Sequence, residues 1–463
     1  MSGTTLRDSA SRIAVLAWPV FIGQLSVLAF STVDTLLVAR YSSIDLAALA
    51  VGSAAYITIF IGFMGVVMAI GPIVGQLFGA GQLAQAGRQV HQAVWIALGL
   101  SVLGTLLLVF PAPFLALSKA TPEVADKVRG YLLALAFSLP ASLLFTVYRG
   151  FNTAVSRPKA VMALQLGGLA LKIPLSAALV WGAPALGIPS MGVTGCGIAT
   201  CIAMWAQALL AFAVLRRDPF YARFEIGGHG LQAPDRQALR AQLRLGIPMG
   251  LAILIEVTGF SFMAIFISRL GTTPVAGHQI AANLVALLFM MPLAISNATS
   301  TLVAQRIGAR DEHDARRLGW HGLWICCGMA TLMGGSVFLA REGVVGLYTR
   351  DAAVIAAALP LVTWLALFHV ADAAQTLAAF VLRAWRIATV PLVIYAVLLW
   401  GVGLGGGYVL AFDSFGGTPA ALRGAPGFWI AATAGLVLAA LALSAFLAWV
   451  QRHHRGVSAA ASA

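Results

Sequence analysis

The chain has 463 residues, 60% of them hydrophobic and only 10% charged, with a mean hydropathy of +0.91, against about 25% charged residues in soluble domains. This composition excludes a soluble globule and a disordered chain, and 48 glycines without a short period exclude a collagen-like fibre. The formal net charge of +13, spread over short loops, reads as a membrane-topology signal with some affinity for anionic headgroups and not as a nucleic-acid surface.

Apolar runs bounded by charged residues predict twelve spanning helices near residues 13–39, 46–78, 90–117, 131–150, 160–182, 191–215, 243–270, 276–306, 318–340, 352–384, 388–412 and 428–450. Each is long enough to cross a bilayer, which takes about 20 apolar residues. Continuous runs of this length exclude a strand-built barrel, so the fold class is an all-α polytopic bundle. The first run is too long for a cleaved signal peptide and passes directly through Asp34 into the next. The four cysteines, Cys196, Cys201, Cys326 and Cys327, all lie in apolar runs and indicate neither a disulfide framework nor redox chemistry.

With twelve spans both termini share a side with the even-numbered loops. Most of the 29 lysines and arginines fall on that side, including Arg88, Arg149, Arg216, Arg217, Arg236, Arg316, Arg383 and Arg455. The opposite side has Arg40, Lys119, Lys127, Arg129, Arg269, Arg341, Arg350 and Arg423, and Lys172 lies within a span. Positive loops mark the cytoplasm, which predicts cytoplasmic termini in a multi-pass plasma (inner) membrane protein.

Sliding the chain against itself by 229 positions places Pro19 on Pro248, Arg40 on Arg269, Gln76 on Gln305, Arg88 on Arg317 and Trp95 on Trp324. Coincidences among such residue types at one offset indicate a duplication. Span 1 falls on span 7, so the repeat is parallel, and two six-helix lobes of this kind hold substrate between them and alternate access by rocking. The expected organisation is a first lobe at 1–215, a cytoplasmic linker at 216–242 in which Gly227, Gly228 and Gly230 act as a hinge, a second lobe at 243–450 and a tail at 451–463.

Of the 16 acidic residues, only Asp34, Glu256 and Asp372 fall inside predicted spans. A charge near the membrane centre costs at least about 2.5–3.5 kcal/mol, so three retained carboxylates imply partners, internal water or protonation. The plain structural reading of Asp34 is a buried salt bridge to Lys172; Glu256 and Asp372 have no basic residue at matching depth. A carboxylate that binds a proton, a metal cation or an organic cation, one at a time, is the simplest basis for exchange. His369, three residues before Asp372, is either a proton shuttle or a helix-to-helix hydrogen-bonding residue. The small neighbours Ala252, Gly259, Ala373 and Ala374 leave room at the acids or serve close packing. The span prolines Pro19, Pro72, Pro140, Pro174, Pro248, Pro292 and Pro360 are expected to kink their helices. Met249, Met263, Met290 and Met291 are read first as core filler. No phosphate-cradling glycine loop, metal-spaced His and Cys cluster or nucleophile triad is found, so ATP-driven transport and catalysis are not expected.

The segments VDTLLVAR and LAAL, GPIVGQLFGAG, MGVTGCGIAT, VAGHQIAAN, STLVAQRIGAR, ADAAQ and LRAW together resemble the multidrug and toxic compound extrusion (MATE) transporters, over nearly the whole chain from Leu16 to Trp449. The acidic pattern is similar to that of the NorM-type branch. The resemblance implies cation-coupled efflux of hydrophobic, mostly cationic drugs, no cofactor, a proton or sodium ion as coupling ion, and a protein acting as a monomer in the lipid bilayer. It assigns Asp34, Glu256 and Asp372 to substrate or cation binding, adds Gln279 and Asn283 of the VAGHQIAAN segment, and makes Glu256 with Asp372 the place for a sodium ion. Two departures favour the proton: Phe368 stands where relatives often have a Tyr of the sodium site, and Lys172, with Ser176 a turn later, stands where an Asn is common, its ammonium replacing a metal ion beside Asp34. A lipid-linked saccharide flippase of the same superfamily is the alternative; it typically needs a cationic cavity, which one lysine against three acids does not make.

Overall fold

The computed structural model describes residues 5–118, 121–227 and 230–460, with the backbone alone at 117, 118, 186 and 454–460. Lys119 and Gly228 lie outside the described residues, as does the Arg455 side chain. Among the described residues, twelve helices are long and apolar enough to cross a membrane: α1 Leu6–Ala39, α2 Ser43–Gly79, α3 Leu83–Val109, α4 Pro122–Ala154, α5 Pro158–Trp181, α6 Gly192–Arg217, α7 Arg236–Ser268, α8 Thr272–Gly308, α9 Glu312–Leu339, α10 Ala352–Ala384, α11 Thr389–Ala411 and α12 Ala425–Ala460. The chain is an all-α, multi-pass integral membrane protein.

Several helices start earlier than hydropathy alone suggests, because polar caps extend them beyond the apolar run. Thr5 and Asp8 close α1 reciprocally: the Thr5 N–H donates to Asp8 Oδ2 (3.0 Å) and the Asp8 N–H to Thr5 Oγ1 (3.2 Å), a capping box. Asp311 accepts the Asp314 N–H at the head of α9 (3.0 Å); Asp351 likewise accepts two N–H groups at the head of α10, which starts at the expected residue. Asp45 is therefore not a loop residue. It sits in the first turn of α2, 1% exposed, where Lys127 Nζ (2.9 Å) and the Val193 N–H (2.9 Å) neutralise and saturate its carboxylate.

Two predicted spans are interrupted. Span 2 has a break at Met68 and Ala69, since Pro72 has no N–H to donate and its ring crowds the carbonyl four residues back. Span 3 ends at Val109 instead of residue 117. Pro111 forces Phe110 out of the helical region (φ −110°, ψ 68°), and a separate turn of helix, Ala112–Ser118, follows. The other six span prolines lie inside continuous helices. Span 11 widens to π-helical geometry over Ala396–Gly405. There α12 comes so close that a Cβ on Gly435 would fall 2.6 Å from the Leu398 carbonyl oxygen.

The chain divides into two compact units, residues 18–250 and residues 1–17 with 251–463. The division cuts α1 and α7 within their length and not at the connection between lobes. In the first unit α4 is the most buried helix and packs with α2, α3 and α6 around Leu49, Leu132, Leu139 and Phe151. Part of the connection expected to act as a hinge is tied to α3 of this unit: Gln92 Nε2 donates to the Ala233 carbonyl (3.1 Å), Gln92 Oε1 accepts the Asp235 N–H (2.8 Å) and Trp95 Nε1 donates to the Gln232 carbonyl (2.9 Å). In the second unit α8, α9 and α12 pack on α10 around Leu284, Leu361, Leu365 and Trp429. The start of α1 is held there by Arg12, whose guanidinium meets Asp314 at 3.1 Å, and by Ser9, bonded to His321 at 2.8 Å.

Candidate functional site

In the first unit, glycines let α1, α5 and α6 approach closely. A Cβ on Gly23 of α1 would meet Gln165 of α5 at 2.2 Å, and one on Gly168 of α5 would meet Gln207 of α6 at 1.6 Å. This closeness brings Lys172 of α5 onto Asp34 of α1, both buried, with Nζ 2.7 Å from Asp34 Oδ2. Nζ also donates to Thr200 Oγ1 of α6 (2.8 Å), which in turn donates to the Cys196 carbonyl (2.9 Å). Ser176 donates to the other Asp34 oxygen at 3.3 Å, and the ammonium lies 4.6 Å from the Phe30 ring centroid. Asp34 is thus in a closed, net-neutral knot in which each carboxylate oxygen has a donor.

In the second unit, Gln375 of α10 organises the acids. Its Nε2 lies 3.1 Å from Glu256 Oε1 of α7, 2.9 Å from Asp372 Oδ1 and 2.9 Å from Thr376 Oγ1. Tyr395 of α11 donates its hydroxyl to Gln375 Oε1, which turns the amide so that its NH2 faces the carboxylates. Asp372, Gln375, Thr376 and Tyr395 are all buried. Among the described residues, neither Glu256 nor Asp372 has a Lys, Arg or His within ion-pair distance, in contrast to Asp34. Two carboxylates are held together here by a neutral amide.

Arg383 is not the loop charge that its place near a helix end suggests: it is buried in the last turn of α10. It stands eleven residues, just over three turns, after Asp372 and so shares its face. Its guanidinium lies 4.5 Å from the Phe380 ring centroid.

His369 is fully buried and neither ring nitrogen has a hydrogen-bond partner among the described residues. Phe368 packs against Phe260 and Trp429, with ring centroids 5.9 and 5.4 Å apart, and offers no oxygen to an ion. Gln279 and Asn283 are exposed on α8. Asn283 donates to the Gln279 carbonyl of its own helix (3.0 Å), so the structure does not join either one to the carboxylates. Their neighbour His278, by contrast, is buried and accepts a hydrogen bond from Trp429 Nε1 at 3.2 Å. Among the described residues no three His, Cys, Asp or Glu side chains cluster as a metal site.

Sequence reasoning missed Thr200, Gln375 and Tyr395 as site residues. Gln375 was within reach, as the polar end of the ADAAQ segment in an apolar helix; Thr200 and Tyr395 have no comparable local signal.

The MatE family model matches residues 19–178 and 248–409. A probable multidrug resistance protein NorM of Aromatoleum aromaticum is 40% identical over 448 residues, 97% of this chain and 96% of that protein. The multidrug resistance protein PmpM of Pseudomonas aeruginosa is 34% identical over 465 residues, 98% of this chain and 95% of that one. Among solved structures, the Vibrio cholerae MATE transporter VcmN in its bent form has a TM-score of 0.84 at 19% identity, covering 97% of this chain and 98% of that one. The eukaryotic MATE transporter AtDTX14 has a TM-score of 0.84 at 18% identity, covering 96% of each chain. The acids, the twelve spans and these likenesses agree: the chain belongs to the MatE family of multidrug and toxic compound extrusion transporters, in its NorM-like branch, and is not an enzyme.

Proposed function

We propose that the protein is a secondary active multidrug efflux transporter that exports hydrophobic, mostly cationic compounds in exchange for protons, by rocking-type alternating access of two lobes. The observation that carries this reading is the Glu256–Asp372 pair, joined through Gln375 with no ion-pair partner among the described residues. Two carboxylates inside the membrane span without a fixed ion-pair partner take up a positive guest, and one guest excludes another. Multidrug resistance in the names of relatives at 40% and 34% identity supports drugs as the cargo.

Protons are favoured over sodium on two grounds. Phe368 contributes packing and no oxygen, and in the first unit the Lys172 ammonium already occupies the cation's place at Asp34. The same ion pair argues against a saccharide flippase, because Lys172 is spent on Asp34 and is not free for a pyrophosphate. The parallel duplication is supported by the family model, whose two matched stretches begin at 19 and 248, the spacing found by sliding the sequence. Cytoplasmic termini and a monomeric transporter complete the proposal.

The test is ethidium efflux from proteoliposomes under an imposed pH gradient or an imposed sodium gradient. Efflux driven by the pH gradient and abolished in Glu256→Gln and Asp372→Asn is expected. Efflux driven by sodium alone at fixed pH overturns proton coupling, and full efflux in both variants overturns the role of the acids.

A further inference from the structure

At one end of the first unit, α4 stops at Ala154, α5 starts at Pro158 and α6 ends at Arg217. Basic side chains collect where these ends meet. The chain after α6 turns through a short 3-10 helix, Pro219–Phe224, and folds back, so that Gly227 comes within 4.0 Å of Arg216 Cγ when given a Cβ. The Phe220 ring is flanked by two guanidinium groups, Arg157 at 4.3 Å and Arg223 at 4.0 Å from its centroid. Arg157 is neutralised by Asp218 at 2.6 Å. Among the described residues no carboxylate reaches ion-pair distance of Lys159, Arg216, Arg217 or Arg223, and Glu225, the neighbouring acid, pairs with none of them. All four cations are exposed.

The surface directly below these cations is apolar. Leu209, Leu210 and Phe212, on the last turns of α6, are 61%, 55% and 53% exposed, and the Arg216 guanidinium lies 4.4 Å from the Phe212 ring. On the α5 side, Lys159 Nζ lies 5.6 Å from the ring of Trp18, itself 46% exposed. Trp and Lys or Arg at the ends of apolar helices mark the level of the headgroups.

We propose that this cluster is a binding site for an anionic phospholipid, its phosphate held by Arg216, Arg217, Arg223 and Lys159 and its acyl chains lying on Leu209, Leu210 and Phe212. Free phosphate would use only the cations; the continuous apolar face beneath them selects a lipid. The position that the sequence shift pairs with Arg223 is Arg452 of α12, and the positions paired with Lys159 and Arg216 are Ala388 and Ala445, so the second unit does not repeat the cluster.

The site is tested on the full-length protein in detergent, by titrating phosphatidylglycerol, phosphatidylcholine or inorganic phosphate and reading the thermal unfolding midpoint. Wild type is expected to be stabilised by phosphatidylglycerol and not by the other two. The triple variant Arg216→Gln, Arg217→Gln, Arg223→Gln is expected to bind phosphatidylglycerol on the order of a hundredfold more weakly, at about fivefold for each charge at the surface. The corresponding triple Lys variant and Arg452→Gln keep the response. Should the Gln triple fail to fold, each single Gln variant gives a graded loss instead. An unchanged response in the Gln variants, loss of the response in the Lys triple, or equal stabilisation by inorganic phosphate overturns the proposal.

Discussion

The two units place acids in an apolar interior by opposite means. In the first, Asp34 is satisfied by an ammonium and a hydroxyl, the ammonium itself lying over the Phe30 ring. In the second, Glu256 and Asp372 share a neutral amide. The sequence shift of 229 does not carry the charges from one unit to the other: it pairs Asp34 with Met263, Lys172 with Gly401 and Asp372 with Leu143. A closed pair resists change because moving either partner strands the other, whereas two acids bridged by an amide respond to any cation that arrives. Under the proposed function, the first knot has a structural task and the second pair exchanges ions.

The largest expected effect is at the second pair. Asp372→Asn or Glu256→Gln should lower proton-driven ethidium efflux at least about tenfold while the protein still inserts and folds, because a neutral side chain no longer exchanges a charge. Full activity in either variant would end the contrast. Next, Lys172→Met strands Asp34 and should destabilise the protein by about 3–5 kcal/mol, whereas Lys172→Met with Asp34→Leu should recover most of that loss. Denaturant unfolding in detergent reads the cycle. A double variant as unstable as the single one would show that the knot does more than neutralise charge.

A smaller effect is expected at the hydroxyl that orients the bridge. Tyr395→Phe removes one buried hydrogen bond, worth about 1 kcal/mol, and should shift the pH profile of efflux by freeing the Gln375 amide to rotate; an unshifted profile would mean that Gln375 holds its orientation unaided. The smallest effect lies outside the spans. The Phe220 N–H and the Arg157 guanidinium hold the Asp218 carboxyl below its ordinary value. Its contribution to stability is therefore present above an aspartate's usual pKa of about 3.9 and is lost as pH falls through the lower, folded-state value. Asp218→Asn should flatten that acid limb slightly, and an unchanged limb would show that the ion pair adds nothing.

The acids were legible in the sequence because a charge in a long apolar run violates the composition around it. Lys172 was legible for the same reason, and its pairing with Asp34 was open to inspection, as the one Lys or Arg away from the ends of a predicted span. Gln375 was visible but neutral, so it raised no such conflict, and Tyr395 and Thr200 look like ordinary helix residues. Arg383 reads as a topology charge because a basic residue near a helix end usually is one; that it is buried there follows from the packing of α10 on α8, α9 and α12. The glycines between the lobes suggested a loose hinge, yet Gln92 and Trp95, remote in sequence, tie the nearby residues Gln232, Ala233 and Asp235 to α3.

By itself the amino-acid sequence determined how many helices cross the membrane, that they are helices, and which three acids they bring into it. These follow from sums over neighbouring residues: apolar length sets the spans, and backbone hydrogen bonding without water admits only helices in runs of this kind. Which groups close on each acid was decided by tertiary structure alone. That choice depends on contacts such as Lys172 with Asp34, 138 positions apart, and Gln375 with Glu256, 119 apart, and electrostatic compensation acts over a few ångströms of space whatever the distance along the chain.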